Sequence, residues 1–197
     1  MLEVELKSVV DNVPLRRVEI ERAGAVLTFE GRLSDRRYDT PDGSLAARDH
    51  VLRVRTYAGP AGERAELDWK GPTRREDAYK VREELEVSLD DSAAMSVILE
   101  RLGFRNTLAV DREIAQYDLN GAMIRFETYP RMDHLVEVEG APELIEDAIA
   151  ALGLPRGGFT AEPLTAFVLR YQARTGARAA LSDAELSDVS TLEARDA

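Results

Sequence analysis

Strict alternation of apolar and charged residues is the first pattern in the sequence. The opening segment MLEVELKSVV alternates aliphatic with ionisable residues, and the same period of two returns in four later segments. The charged positions of the five segments are Glu3, Glu5, Lys7; Arg53, Arg55; Glu66, Asp68, Lys70; Arg82, Glu84, Glu86; and Glu137, Glu139. Because successive side chains of a strand point to opposite faces, the pattern predicts β-strands with one charged and one apolar face.

Helical patterns and turn signals separate these strands. Asn12 and Pro14 predict the start of a helix that ends at Gly24, and three further amphipathic helices are predicted in AAMSVILERLG, APELIEDAIAALG and PLTAFVLRYQARTG. Asn120-Gly121 is a strong signal for a tight hairpin, and AGPAG at 58–62 predicts another. The segment TRREDAYKV is compatible with a loop or a short helix. The predicted fold class is α+β, dominated by one antiparallel sheet.

The length and composition predict one domain followed by a tail. The chain has 197 residues, of which 44% are hydrophobic, which is enough to form a core. We expect the domain to span residues 1–176. From Ala177 to Ala197 the sequence is small, acidic and poor in aromatic residues, which predicts a mobile tail or a weak helix.

The charge and the rare residue types exclude several classes of function. A net charge of -11 argues against a nucleic-acid binder, which needs a basic surface to displace counterions from phosphates. The chain has no cysteine and two histidines, so any metal is expected to be Mg²⁺ or Mn²⁺ held by carboxylates. No segment resembles a signal peptide or reaches the ~20 apolar residues of a membrane span, so a cytoplasmic protein without membrane contact is predicted.

The charged strand faces have two interpretations. In the simpler one, the sheet covers a core with its apolar side and exposes its charged side to water. In the other, the sheet closes into a barrel with the charged faces inside and the helices covering the aliphatic outside. Buried charges need partners, and an interior of mixed sign suits a polyphosphate that binds the cations together with divalent metals that bind the carboxylates. Arg36 and Arg37 are compatible with the cavity lining or with a surface pair.

Several motifs occur together in the order that one known family shows. They are the ExExK pattern Glu3-x-Glu5-x-Lys7, YDTPDGSL from Tyr38, LRVR from Leu52, DWKGP from Asp68, KVREELEV from Lys80, LERLGF from Leu99, Arg112, and VEVEG from Val136. Together they resemble the CYTH superfamily, the triphosphate tunnel metalloenzymes, over about residues 1–172. The sequence is most similar to the class IV adenylate cyclase-like branch of this superfamily. The resemblance implies a closed antiparallel barrel of eight strands that forms a tunnel.

The resemblance also implies roles for individual residues. The implied ligands of Mg²⁺ or Mn²⁺ are Glu3, Glu5, Glu137 and Glu139. The implied phosphate-binding residues are Lys7, Arg53, Arg55, Lys70, Arg82 and Arg112, and among these Lys7 and Arg112 are the predicted catalytic residues. Further acidic tunnel residues are Glu66, Asp68, Glu84, Glu86 and Glu127. For Lys7, a proton-acceptor role and an electrostatic role both stay open.

Three departures from the family pattern concern one end of the predicted site. Val110 stands where relatives often carry a basic residue, and Glu127 stands where an aspartate is common. The segment PRMDHLVEVE replaces the usual sequence before the last glutamate pair. These changes affect the expected recognition of the leaving group or base more than the triphosphate-binding core.

The implied chemistry is attack at a phosphorus atom of a bound triphosphate. Attack by water makes the protein a triphosphatase acting on tripolyphosphate, thiamine triphosphate or ATP, and this hypothesis is favoured because it requires the fewest groups. Attack by the ribose 3′-hydroxyl of ATP makes it an adenylate cyclase that releases pyrophosphate. A non-catalytic binder of polyphosphate or nucleotide is the third hypothesis. A small barrel with helices outside is compatible with a homodimer.

Overall fold

The computed structural model describes the backbone of residues 2–76 and 79–187, and the side chains of these residues except 2, 3, 75, 76 and 80. The strands are β1 Leu2–Val9, β2 Val26–Asp39, β3 Val51–Gly59, β4 Gly62–Lys70, β5 Arg74–Glu76, β6 Tyr79–Leu89, β7 Arg105–Leu119, β8 Ala122–Thr128 and β9 Leu135–Glu139. The α-helices are α1 Val13–Arg22, α2 Ser92–Arg101, α3 Pro142–Leu152 and α4 Leu164–Thr175. Short 3₁₀ turns lie at Ala46–Arg48 and Arg156–Gly158.

The sheet closes on itself. Its strand order is β1-β9-β8-β7-β2-β3-β4-β6-β5, and β1 pairs with β6 as well as with β9. Eight strands therefore form a closed antiparallel barrel, while the short β5 pairs with residues 79–81 of β6, beyond the part of β6 that pairs with β4. Closure removes the exposed sheet edges and gives every strand one inner and one outer face. The predicted α+β fold with a closed eight-stranded barrel is confirmed.

Helices pack on the aliphatic outer faces of several strands, whereas Leu85 and Val87 of β6 are 57% and 61% exposed. The Asn12 side chain accepts a hydrogen bond from the Leu15 backbone N–H at 3.0 Å and so caps α1 as predicted. Ile145 and Leu152 of α3 are fully buried in the same cluster as Leu6 and Val138, which alternate with the charged positions of β1 and β9. The apolar face that the sequence shows is therefore the outside of the barrel. Among the described residues, no helix combines the length and the apolar character that a membrane span requires.

Both predicted hairpins are present. Leu119 pairs with Ala122 across Asn120 and Gly121, whose φ angles are 54° and 95°. Two successive residues with positive φ are typical of the type I′ turn, which glycine and asparagine tolerate best. Gly59 pairs with Gly62 and closes the hairpin between β3 and β4.

The segment TRREDAYKV differs from its prediction. Its residues 74–76 form β5 and its last three residues, 79–81, belong to β6, whereas the sequence suggested a loop or a short helix. Arg74 pairs with Val81 across the two strands. The segment has little apolar alternation of its own, so its strand conformation depends on backbone pairing with β6.

The first part of the predicted tail contacts the barrel. The backbone of Ala180 pairs with Arg131, and the Asp111 N–H donates to the Leu181 carbonyl at 2.7 Å. Ala180 and Ser182 are almost completely buried. These backbone hydrogen bonds join residues 180 and 181 to the barrel, and residues 183–187 are helical. The mobility of the segment stays a prediction. Residues 188–197 lie outside the described residues, and the division into a 1–176 domain and a tail stays a prediction.

Candidate functional site

A cavity of about 370 Å³ lies inside the barrel, and we call it the central cavity. Its volume is in the range of small-molecule binding sites. Its charged lining residues are Glu5, Lys7, Asp35, Arg37, Asp49, Arg53, Arg55, Lys70, Arg82, Arg112, Arg125, Glu127 and Glu137. Among the described lining residues, eight basic side chains thus face five carboxylates. The charged strand faces point inward, as the barrel interpretation predicts.

One side of the cavity consists of balanced ion pairs. This paired wall is formed by the lining residues of β1, β8 and β9, which are Glu5, Lys7, Arg125, Glu127 and Glu137. The Lys7 ammonium lies 3.0 Å from Glu5 and 2.5 Å from Glu137. Arg125 donates to Glu137 and lies 3.6 Å from Glu127. Each charge of this wall therefore has a partner of opposite sign.

The paired wall keeps its groups ionised. Burial lowers the pKa of Lys7, but the negative charges of Glu137 and Glu5 outweigh this effect and raise the pKa above the ordinary value of lysine. Burial likewise opposes ionisation of Glu137, yet Arg125 and Lys7 hold the pKa of this carboxyl well below its usual range. The proton-acceptor and electrostatic roles of Lys7 both stay predictions.

The opposite side carries an excess of positive charge. This arginine wall is formed by Asp35, Arg37, Arg53, Arg55 and Arg112, which lie on β2, β3 and β7. Arg55 donates to Asp35 at 2.7 Å, Arg112 at 3.0 Å and Arg53 at 3.4 Å. Burial raises the pKa of the Asp35 carboxyl, but the three arginines outweigh this effect and hold it well below its usual range. A single carboxylate thus orients three arginines.

Two features of the arginine wall leave room for a further anion. The Arg37 guanidinium forms no hydrogen bond or ion pair with any described residue. Burial and the positive charge of Arg53 lower the pKa of Arg37, an effect that Asp35 opposes only in part. The Nη2 atom of Arg53 is buried and lacks a hydrogen-bond partner in the described part of the chain. Buried donors of this kind cost free energy unless a ligand or water satisfies them, so this wall is suited to bind an anion.

The remaining strands supply two more cations of the cavity. Lys70 on β4 lies 3.2 Å from Glu84, and Arg82 on β6 donates to the backbone carbonyls of Gly71 at 2.7 Å and Asp49 at 2.6 Å. Arg82 also lies 3.6 Å from the Asp49 carboxylate. Each of these two cations therefore has an acidic partner, and the carbonyls fix the position of the Arg82 guanidinium at the cavity.

The structure brings most of the predicted site residues together. The central cavity is lined by nine of them: Glu5, Lys7, Arg53, Arg55, Lys70, Arg82, Arg112, Glu127 and Glu137. Five others do not line it: Glu66, Asp68, Glu84, Glu86 and Glu139. Asp68 is buried and accepts from Arg53 at 2.9 Å, so it supports a lining residue from outside the cavity. The predicted metal ligand Glu3 lies on β1, but its side chain is outside the described residues.

Sequence reasoning missed several lining residues. The sequence patterns do not identify Asp35, Asp49, Arg125 or Tyr129 as lining residues, and they leave Arg37 compatible with the lining or with a surface pair. Arg36 and Arg37 are neighbours in the sequence, but the structure places them differently. Arg37 lines the cavity, whereas Arg36 donates to Asp111 at 2.9 Å outside it. A period of two does connect Asp35 with Arg37 and Arg125 with Glu127, so this signal was present in the sequence.

The donor set for a divalent cation is incomplete among the described residues. They contain no cluster of three or more histidine, aspartate or glutamate side chains that would hold a metal ion. Across β1 and β9, however, Glu5 lies directly opposite Glu139, and Lys7 lies directly opposite Glu137. Like charges directly opposite each other on neighbouring strands are destabilising, and a divalent cation near Glu5 and Glu139 would offset this repulsion. Carboxylate oxygens are the donors that Mg²⁺ and Mn²⁺ prefer, so these residues fit such a metal chemically.

The chain thus forms a closed antiparallel barrel with inward-facing charges and a cation-rich cavity. A family model for the CYTH domain matches residues 1–141. The chain belongs to the CYTH family. No curated protein matches the chain significantly.

Solved structures share the fold. A candidate adenylate cyclase from Vibrio parahaemolyticus has a TM-score of 0.73 at 19% identity, with 86% of this chain and 98% of that chain covered. The PH1819 protein from Pyrococcus horikoshii has a TM-score of 0.71 at 22% identity, with 85% and 98% covered. HpAC1 from Hippeastrum, a candidate adenylyl cyclase with a dominant triphosphatase activity, has a TM-score of 0.60 at 18% identity, with 92% and 98% covered. At these identities the similarity establishes the fold alone.

Proposed function

We propose that the protein is a divalent-metal-dependent phosphohydrolase that binds a triphosphate in the central cavity. The observation that carries this proposal is the excess of basic over acidic lining residues in the described cavity, inside a chain whose net charge is -11. Confining cations in a buried cavity is unfavourable without an anionic ligand. A triphosphate supplies several negative charges along a flexible chain, which matches cations arranged on several strands.

The arginine wall is proposed to bind and orient the phosphates. Arginine offers a planar fork of donors to phosphate oxygens, and Asp35 holds three such forks before a ligand arrives. Positioned cations stabilise the charge that develops on the oxygens during phosphoryl transfer. Arg37 and the unpaired Nη2 of Arg53 are the donors that gain most from binding.

The paired wall is proposed to hold the metal. Glu5 and Glu137 would bind it, together with Glu139 and with Glu3, whose role rests on the family resemblance. A bound divalent metal supplies charge neutralisation and Lewis-acid polarisation of phosphate oxygens. The protonated Lys7 between Glu5 and Glu137 keeps both carboxylates oriented and adds positive charge near the phosphates.

Hydrolysis is favoured over cyclisation because it requires no site for a base and sugar. Among the described lining residues, Tyr129 is the one aromatic, and its hydroxyl donates to Glu127 at 2.6 Å. The second candidate is a class IV adenylate cyclase, which the YDTPDG, DWKGP and VREELEV motifs favour.

Product analysis separates these functions. The purified full chain is incubated with Mg²⁺ or Mn²⁺ and, in separate reactions, with tripolyphosphate, thiamine triphosphate or ATP, and the products are resolved by chromatography. We expect metal-dependent release of orthophosphate, which stops when the metal is removed with EDTA. Cyclic AMP with pyrophosphate would instead identify the cyclase. Bound but intact ligand would identify a binding protein without turnover.

A further inference from the structure

The charged lining of the cavity ends at one apolar region. Leu108 on β7, Leu164 at the start of α4 and Leu181 near the C-terminus line the cavity and are only half-buried. All three pack against the cluster that contains Val110 and Phe167. We call Leu108, Val110, Leu164 and Leu181 the apolar rim. Three separate parts of the chain thus contribute aliphatic side chains to one place in the lining.

The apolar rim interrupts a regular charge pattern. On β7 the residues at every second position from 108 to 112 line the cavity, and they are leucine, valine and arginine. Across the β2–β7 pair, Leu108 lies opposite Arg37 and Val110 lies opposite Asp35. The rim is therefore directly beside the arginine wall. A molecule with its phosphates on the arginines would place its other end against aliphatic side chains.

The C-terminal residue of the rim is held in place by the fold. The Leu181 carbonyl accepts from the Asp111 N–H at 2.7 Å, and the Ala180 N–H donates to Arg131 at 2.8 Å. Ser182, next to Leu181, is 2% exposed. Hydrogen bonds on both sides of Leu181 keep its side chain at the cavity, where it is available to a ligand.

We propose that the apolar rim binds the organic group of the triphosphate. This inference rests on the proposed function, because it assumes that phosphates occupy the arginine wall. The substrate class is then a triphosphate monoester with an apolar or aromatic group next to the phosphates, and free tripolyphosphate is a poorer ligand. Half-exposed leucines gain from contact with such a group because it removes apolar surface from water.

Two synthetic ligands of equal charge test this preference. Methyl triphosphate and benzyl triphosphate differ only in the size of the apolar group, and tripolyphosphate is the reference without one. Affinities for the full chain are measured by calorimetry in EDTA, so that no metal-dependent turnover occurs. We expect benzyl triphosphate to bind about tenfold more tightly than methyl triphosphate, as the burial of a phenyl ring predicts. Equal affinities would overturn the proposal.

Matched leucine variants locate the effect. Leu164→Asn and Leu181→Asn should remove most of the preference for benzyl triphosphate and leave the affinity for methyl triphosphate unchanged. Leu169→Asn is the control, because Leu169 lies on the same helix as Leu164 but is 66% exposed. An unchanged preference in both rim variants would contradict the proposal. The comparison of the two ligands on the unmodified chain stays decisive if a variant does not fold.

Turnover of the same ligands separates this inference from the proposed function. Orthophosphate release from both esters in Mg²⁺, with equal affinities for them, would refute the role of the rim and support the phosphohydrolase. A preference for the benzyl ester without any turnover would support the rim and refute the phosphohydrolase. Absence of binding by all three ligands in EDTA, together with absence of turnover in Mg²⁺, would refute both.

Discussion

The paired wall and the arginine wall line the same cavity, but they balance charge differently. The paired wall has three carboxylates and two cations, joined by contacts such as Lys7 to Glu137 at 2.5 Å. The arginine wall has one carboxylate and four arginines. The first is joined by ion pairs among its own residues. The arginines of the second also have partners outside it, because Arg53 contacts Asp68 and Arg112 contacts Glu127. Arg37, which has no ion pair with a described residue, and the unpaired Nη2 of Arg53 therefore indicate the place where an anionic ligand completes the structure.

The difference also separates two tasks of the proposed enzyme. Carboxylates are needed to bind a divalent metal, and the paired wall carries Glu5 and Glu137 close to a shared lysine. Arginines are needed to bind phosphates, and the arginine wall holds them around Asp35. Variants on the two walls should therefore have different effects, and four predictions test this.

The largest effect is expected from Asp35→Asn. This variant removes the single carboxylate of the arginine wall and leaves three buried arginines without their shared partner. We expect the free energy of unfolding without ligand to fall by about 3–5 kcal/mol, as for other broken buried ion pairs. Saturating tripolyphosphate should restore more stability to the variant than to the unmodified chain, because it supplies the missing negative charge.

Urea unfolding followed by the fluorescence of the single tryptophan, Trp69, measures this effect. Asp90→Asn is the control, since Asp90 is an exposed carboxylate outside the cavity. If both variants keep the stability of the unmodified chain, Asp35 does not hold the arginine wall together. The comparison between the two walls would then lose its main support.

The closed barrel could be predicted because several independent signals in the sequence agreed. Alternation predicted two different faces for each strand, and Asn120-Gly121 predicted one hairpin. The family motifs predicted that the sheet closes into a barrel. The packing of Leu181 could not be predicted, because it depends on backbone hydrogen bonds to Asp111 and on small neighbours. Such contacts leave no periodic pattern in the sequence.

A second prediction concerns the paired wall. Glu5→Gln removes one carboxylate next to Lys7 and should weaken the proposed metal site. We expect metal-dependent turnover to fall by about 10-fold to 100-fold, the range typical of groups that support a metal site. Binding of tripolyphosphate in EDTA should change little, because the arginine wall is intact.

Initial rates across a Mn²⁺ titration and calorimetry in EDTA measure the two quantities. Glu83→Gln serves as the control, since Glu83 is an exposed carboxylate next to Arg82 on the same strand. Full turnover in the Glu5 variant would contradict the assignment of the metal to the paired wall. A similar loss in tripolyphosphate affinity would show that the two walls do not act separately.

A third prediction sharpens the description of the arginine wall. Arg37→Gln removes a guanidinium that has no partner among the described residues, so stability without ligand should not decrease. Affinity for tripolyphosphate should fall about tenfold, since a hydrogen bond to a charged group contributes about 1.5 kcal/mol. Arg36→Gln is the matched control, because Arg36 is the neighbouring residue and pairs with Asp111 outside the cavity. Equal losses of affinity in both variants would indicate long-range electrostatics without direct phosphate contact.

The candidate site was predictable where charge alternates with apolar residues over a whole strand. Arg53 and Arg55 on β3 were found in this way. Asp35 was missed because its strand also has charged residues at intervening positions, so the sequence does not tell which face is inside. Only the pairing of β2 with β3 and β7 decides this, and pairing is a property of the whole sheet.

The smallest expected effect is the pH dependence that Asp35 contributes. Its pKa in the folded state lies well below the usual range because of Arg53, Arg55 and Arg112, which outweigh burial. Its stabilisation is therefore complete above the unfolded-state pKa of about 3.9 and decreases as the pH falls below that value, where the unfolded chain takes up a proton and the folded chain does not. The difference in unfolding free energy between the unmodified chain and Asp35→Asn should be constant from pH 8 to pH 5 and should narrow by about 1 kcal/mol by pH 3.

Urea unfolding at each pH measures this difference. The corresponding difference for Asp90→Asn should change little with pH. If the difference in unfolding free energy between the unmodified chain and Asp35→Asn grows as the pH falls, the arginines do not stabilise the ionised Asp35. The arginine wall would then be held together by other contacts.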